Sequence, residues 1–191
     1  SVNENEKNNG VSHFLEHLFF KGTAKHPNGE TAMILENLGA RLNASTGKDF
    51  THYYVTAASK NADTAIELLS DMLLNPAIPQ EEFEKEKKVV LEEIRRSNDD
   101  VGDKIFKNLT DMVFNGSTYS YETLGTTQSI ENISRNDVFD YYKKYYTPQN
   151  MVTVIAGDVN PEKTLESVKT AFAEKNVKSA RISANNQKIQ K

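Results

Sequence analysis

The chain has 191 residues, 37% hydrophobic and 26% charged, a composition typical of a globular protein with enough apolar residues for one core. Its formal net charge of -4 and pI near 5.6 provide no general attraction to phosphate groups or anionic lipids, so we expect neither a nucleic-acid nor a membrane partner. Cysteine is absent from the sequence, so any metal site must be built from histidine and carboxylate ligands.

Hydrophobic periodicity and turn signals predict mostly helices, with a short strand region near the first of them. The first predicted helix is VSHFLEHLFFK, which follows a polar loop and ends before Gly22. Two strands, in ARLNAST and DFTHYYVTAAS, are joined through Gly47 and should pair antiparallel. Further helices are predicted at about 30–38, 61–74, 80–97, 101–114, 134–146 and 160–174, an irregular loop at 115–127, and a short apolar strand in MVTVIAG at 151–157.

These elements predict an α+β fold, a mainly antiparallel sheet with helices packed on one face. We expect one domain over residues 1–176. Residues 177–191 are polar, basic and free of aromatic side chains, which predicts a linker or a disordered tail. The sequence shows no export signal, which favours the cytoplasm and leaves an organelle open.

Three polar side chains suited to metal chemistry lie within one turn of the first predicted helix. His13, Glu16 and His17 are at positions i, i+3 and i+4 and therefore share one face, whereas the rest of the helix is apolar and should be buried nearly all round. Two imidazoles at this spacing can both reach one Zn²⁺, and a catalytic zinc takes a third protein ligand plus water. The third ligand must come from elsewhere in the chain.

The predicted helix at 80–97 contains the candidates for this third ligand. Its apolar arc is formed by Phe83, Val89, Val90 and Ile94. On a helical wheel Glu86 and Glu93 fall inside the arc, while Glu92 points to the opposite side. Carboxylates within an apolar arc are costly unless they face a cation or hydrogen-bond donors, so either Glu86 or Glu93 is the ligand and the other its support.

The order of residues in HFLEH, HxxEH, resembles the inverzincin or pitrilysin-type zinc metallopeptidases, which include insulin-degrading enzymes and mitochondrial processing peptidases. The resemblance is to the N-terminal half-domain of the processing-peptidase branch and covers about residues 9–159. It continues, in order, through FFKGT, GARLNAST, EKEKKVVLEEI, LGT and VIAGDV. It implies a zinc endopeptidase with the fold of these half-domains.

The resemblance also implies a role for each residue of the motif. One Zn²⁺ would be held by His13, His17 and Glu93, and Glu86 would correspond to a supporting glutamate. Zinc would lower the pKa of its bound water and polarise the scissile carbonyl, and Glu16 would act as the general base that takes the water's proton.

A substrate edge and a partner are implied in the same way. The strand Leu42–Thr46 is similar to the family's substrate-binding edge, with Asn43 and Ala44 nearest an extended peptide substrate.

Family enzymes pair two homologous halves around a chamber, so we expect a C-terminal half-domain, or a partner subunit in a dimer. The strands that precede the HFLEH helix in the family have no counterpart here, so we expect a fragment that hydrolyses peptides poorly without that half.

Two other functions are compatible with the same residues. The family includes members that keep the fold and lose the activity, so a non-catalytic subunit or scaffold is the main alternative, and it should lack stoichiometric zinc. A non-peptidase hydrolase with the same fold is the second alternative, and it would be recognised by its action on small amides and esters.

Overall fold

The computed structural model describes residues 1–173, in which helices pack against a two-stranded antiparallel sheet and confirm the predicted α+β class. The helices are α1 (Val11–Phe19), α2 (Glu30–Asn37), α3 (Ala62–Leu74), α4 (Gln80–Asp99), α5 (Val101–Phe114), α6 (Thr127–Asn132), α7 (Arg135–Tyr145) and α8 (Pro161–Phe172). The strands are β1 (Arg41–Thr46) and β2 (Thr51–Thr56). The predicted tail at 177–191 lies outside the described residues.

The strands β1 and β2 pair antiparallel as predicted, with Leu42 opposite Val55 and Ala44 opposite Tyr53. Along β1 the side chains alternate between exposed and half-buried, and the half-buried set is Leu42, Ala44 and Thr46. Since side chains of a strand alternate between its two faces, these three share one face. Both strands contact α1, so the sheet covers one side of that helix.

The helix α1 lies at the centre of the main core. Its apolar residues Val11, Phe14, Leu15, Leu18 and Phe19 are all fully buried. They pack with side chains from α3, α4, α6 and α7. Burial of each such side chain contributes about 1.5–3 kcal/mol, so the position and rotation of α1 are strongly fixed. The direction of its polar face is therefore fixed too.

A close approach of two backbones fixes the start of α1. Gly10, the residue before the helix, has a φ of 88°, and a Cβ there would lie 2.6 Å from the carbonyl oxygen of Leu124. The carboxylate of Glu4 accepts hydrogen bonds from the backbone N–H groups of Gly10 at 2.8 Å and Ser12 at 3.0 Å. This anion at the positive end of the helix satisfies N–H groups that have no partner within the helix.

The predicted strand at 151–157 is wrong. The segment contains no strand, and Val152 and Val154 are 90% and 82% exposed. An apolar run favours a strand, but a strand also needs a neighbour for its backbone groups, and no strand within residues 1–173 pairs with this segment. Within the same part of the chain, no helix combines the length and apolar character needed to cross a bilayer.

A short helix that the sequence analysis did not predict follows the irregular segment at 115–127. It is α6, and a capping box at its start joins the side chains and backbone N–H groups of Thr126 and Ser129. The Thr-x-x-Ser pattern was a usable signal for a helix start, although Glu or Gln is the usual fourth residue of this motif.

Candidate metal centre

Three potential ligand atoms from two helices converge on one point. The Nε2 atoms of His13 and His17 lie 3.3 Å apart, and Oε2 of Glu93 lies 3.7 Å and 3.6 Å from them. Tetrahedral bonds of 2.0–2.1 Å place ligand atoms about 3.3 Å from one another, so the separations fit a single zinc ion. Within residues 1–173 these three residues form the group that could hold a metal ion.

The packing of α4 against α1 creates this convergence. His13 and His17 lie one turn apart on α1, with ring centroids 4.7 Å apart and planes at 74°, and Glu93 is on the facing side of α4. The side chains of His13 and His17 are 13% and 18% exposed and that of Glu93 is 37% exposed. As expected, α1 is buried nearly all round, since none of its residues is exposed and its polar face is only half-buried.

His13 is held in the form that binds metal. Burial, together with the neighbouring His17, lowers its pKa to about 4, so the imidazole is neutral at pH 7. Only a neutral imidazole has a free nitrogen lone pair for a metal ion. Its other nitrogen, Nδ1, is buried without a hydrogen-bond partner among the described residues.

Glu86 contacts His17 on the ring nitrogen that does not face the cluster. This glutamate is buried, and its Oε2 lies 3.1 Å from Nδ1 of His17. If Nδ1–H donates to this carboxylate, the Nε2 lone pair of His17 points toward the cluster. Of the two glutamates that the helical wheel left open, the structure brings Glu93 to the histidine Nε2 atoms.

Glu16 lies on the same face of α1 but outside the group of converging atoms. Its Oε2 accepts a hydrogen bond from the hydroxyl of Thr46 on β1. Thr46 in turn lies 3.3 Å from the hydroxyl of Thr51 on β2. The sheet therefore orients the carboxylate predicted to act as the base.

Glu92, the residue before Glu93, is bound to an arginine and not to the cluster. The two oxygens of Glu92 accept hydrogen bonds from Arg95 at 2.6 and 2.9 Å, and these bonds lower its pKa to about 2. Val89, which the sequence analysis placed in the apolar arc, is 42% exposed. The buried arc of α4 is thus narrower than predicted, and its buried members are Phe83, Glu86, Val90 and Ile94.

The residues predicted to meet a peptide lie on β1, whose outer edge is unpaired among the described strands. Asn43 is exposed and Ala44 is half-buried. The side-chain oxygen of Asn43 accepts the backbone N–H of Ala44 at 2.9 Å. A peptide that paired with Ala44 through this N–H would have to displace that contact.

Two residues near the site were not predicted from the sequence. Lys21 forms an ion pair with Glu86 at 2.7 Å, and Thr46 donates to Glu16. Both had a sequence signal. Lys21 follows His17 by four residues, and Thr46 continues the inward alternation of β1.

Comparison with family models gives two matches. A model described as Insulinase (Peptidase family M16) matches residues 1–127, and a model described as Peptidase M16 inactive domain matches residues 132–191.

Individual relatives align with most of the chain. The beta subunit of the mitochondrial-processing peptidase of Bos taurus is 37% identical over 171 residues, which is 90% of this chain and 35% of the relative. Subunit 1 of the mitochondrial cytochrome b-c1 complex of the same organism is 33% identical over 170 residues, 89% of this chain and 35% of the relative. This chain therefore spans about a third of the length of these relatives.

A solved structure also shares the fold. The crystal structure of a protease from Helicobacter pylori aligns with a TM-score of 0.87 and 29% identity, covering 91% of this chain and 42% of that one.

Proposed function

Since the chain belongs to the insulinase family, peptidase family M16, we propose that it carries the metal site of a zinc-dependent endopeptidase that cleaves extended peptides. The observation that carries the proposal is the convergence of His13, His17 and Glu93, with ligand atoms 3.3–3.7 Å apart. Among the described residues no cysteine or second cluster competes for this role.

We propose a role for each side chain at the site, and the contacts of these side chains support it. When bound, zinc would polarise the scissile carbonyl and increase the acidity of water. Glu16 would take a proton from the attacking water on its carboxylate and pass it to the leaving nitrogen. Thr46 orients this carboxylate, while Glu86 fixes the ring of His17.

The substrate proposal rests on the free edge of β1. An extended peptide would add there as a further strand, near Asn43 and Ala44, through backbone hydrogen bonds. Strand addition selects for extended chains and not for one sequence, since the backbone makes the contacts. The same strand carries Thr46 at its end, so the peptide would lie next to the carboxylate of Glu16.

Metal analysis tests the proposal directly. We expect the purified chain to bind about one zinc ion, and the His13→Ala variant to bind far less because one of three ligands is lost. The His52→Ala variant is the matched control, since His52 is exposed on β2 and outside the cluster. The measurements are zinc content by elemental analysis and peptide hydrolysis before and after chelation.

Each alternative function gives a different result. A chain without stoichiometric zinc would support the non-catalytic scaffold and contradict the proposal. Zinc-dependent hydrolysis of small esters or amides, with no cleavage of peptides, would support the second alternative.

We extend the proposal to a partner, a homologous C-terminal half in the same chain or in a separate subunit. The site opens to solvent at Glu93, whose side chain is 37% exposed, and a peptide on β1 would be enclosed on one side only. The names of the curated relatives place them in mitochondria, so an organelle is compatible with the proposal as well as the cytoplasm.

Addition of the partner half is expected to raise kcat/KM at least about tenfold, or about 1.4 kcal/mol of transition-state stabilisation. The reason is that a second wall would orient the peptide and exclude water. The measurement is the initial rate on a quenched fluorescent peptide while the partner half is titrated, with an unrelated protein as the control. Equal rates for the isolated chain and the pair would contradict the need for a second wall.

A further inference from the structure

We propose that Lys21 is a positioning residue for the metal centre, acting on His17 through Glu86. The inference rests on the proposed zinc site, and it concerns a residue outside the predicted ligands and base. Lys21 lies just after the end of α1, and its ammonium contacts Oε1 of Glu86 at 2.7 Å. The other oxygen of the same carboxylate, Oε2, lies 3.1 Å from Nδ1 of His17.

The three groups thus form a chain from lysine to carboxylate to imidazole. Because the two oxygens of Glu86 contact different groups, the carboxylate cannot rotate without losing one of the contacts. Lys21 and Glu86 are both shielded from solvent, with side chains that are 27% and 10% exposed. A rotamer of Glu86 that is fixed at both oxygens also fixes the ring of His17, since Nδ1 has one acceptor in one direction.

The position of Lys21 makes it suited to this task. It follows His17 by four residues, just beyond the end of α1, and it adds a positive charge near the negative end of the helix. A buried carboxylate that loses its cationic partner is strongly destabilised. Without Lys21, we expect Glu86 to turn toward other donors or solvent, which would leave the ring of His17 free to reorient.

The Lys21→Met variant is expected to bind zinc about threefold to tenfold more weakly. Outer partners of metal ligands contribute about 10–100-fold to metal affinity when removed, and Lys21 acts one group further away than Glu86. Zinc affinity is measured by competition with a chromogenic chelator, which requires no catalytic activity. Lys21→Arg should restore most of the affinity, and Lys25→Met is the control, since Lys25 is an exposed cation four residues away.

A double-mutant cycle separates positioning from a general structural effect. If Lys21 acts through Glu86, Lys21→Met should cause no further loss of zinc affinity in a Glu86→Gln background. Losses of equal size in both backgrounds would overturn the proposal. Far-UV circular dichroism of the zinc-free variants establishes that they fold, and Lys21→Gln replaces Lys21→Met if the latter does not.

This experiment also distinguishes the inference from the function on which it rests. A parent chain that binds no zinc would contradict the proposed function itself. A parent chain that binds zinc tightly, with Lys21→Met unchanged from it, would overturn only the role of Lys21.

Discussion

Replacement of Glu16 with glutamine is expected to lower kcat by about 10²–10⁴-fold while zinc stays bound, the range that a general acid–base group contributes. The amide has nearly the shape of the carboxylate but cannot take a proton from water. Glu16 is outside the three converging ligand atoms, so its replacement leaves them in place. This decrease in kcat corresponds to an activation free energy that is about 3–5 kcal/mol higher.

The measurement pairs kcat on a fluorescent peptide with zinc content of the same sample, both with the partner half present. The matched control is Glu36→Gln, because Glu36 is an exposed glutamate on α2. A Glu16→Gln variant that hydrolyses the peptide at nearly the parent rate would contradict the assignment of Glu16 as the general base. Loss of zinc along with activity would instead place Glu16 among the residues that hold the metal.

The predicted elements that matched the structure are those with a strong local signal. The helix α4 was predicted from its hydrophobic periodicity, and the strands β1 and β2 from two strand-like segments joined through Gly47. The segment at 151–157 has an apolar sequence, but strand formation also depends on a neighbouring strand. Hydrophobicity alone carries no information about that neighbour.

Part of the candidate site could be predicted from local sequence, and part depends on tertiary packing. The common face of His13, Glu16 and His17 follows from the geometry of one helix, so the sequence predicts it directly. The choice between Glu86 and Glu93 depends on how α4 packs on α1, because both point inward from α4. The helical wheel therefore left both open, and the family resemblance selected Glu93.

Contacts between distant elements were the least predictable part of the site. Thr46 meets Glu16 across 30 residues, and Lys21 meets Glu86 across 65 positions of sequence. Alternation along β1 places Thr46 on the half-buried face, but it does not show which residue Thr46 contacts. Such pairs require the packing of the sheet and of α4 on α1.

Replacement of Glu93 with glutamine is expected to weaken zinc binding more than about 100-fold, beyond the 10–100-fold effect of outer partners, because an anionic ligand is lost. Glu92→Gln is expected to change it less than about twofold, since Glu92 is bound to Arg95. The comparison is closely matched: both are adjacent glutamates on α4, with side chains 37% and 42% exposed, and both substitutions remove one negative charge. A difference in zinc affinity between the two variants therefore depends on which way each side chain points from α4, and not on net charge or exposure.

The measurement is zinc affinity by chelator competition, with thermal unfolding of the zinc-free proteins to compare their stability. Equal loss of affinity in both variants would mean that long-range charge, and not coordination by Glu93, accounts for the effect. Zinc affinity that survives in Glu93→Gln but is lost in Glu86→Gln would make Glu86 the third ligand, the alternative that the helical wheel left open.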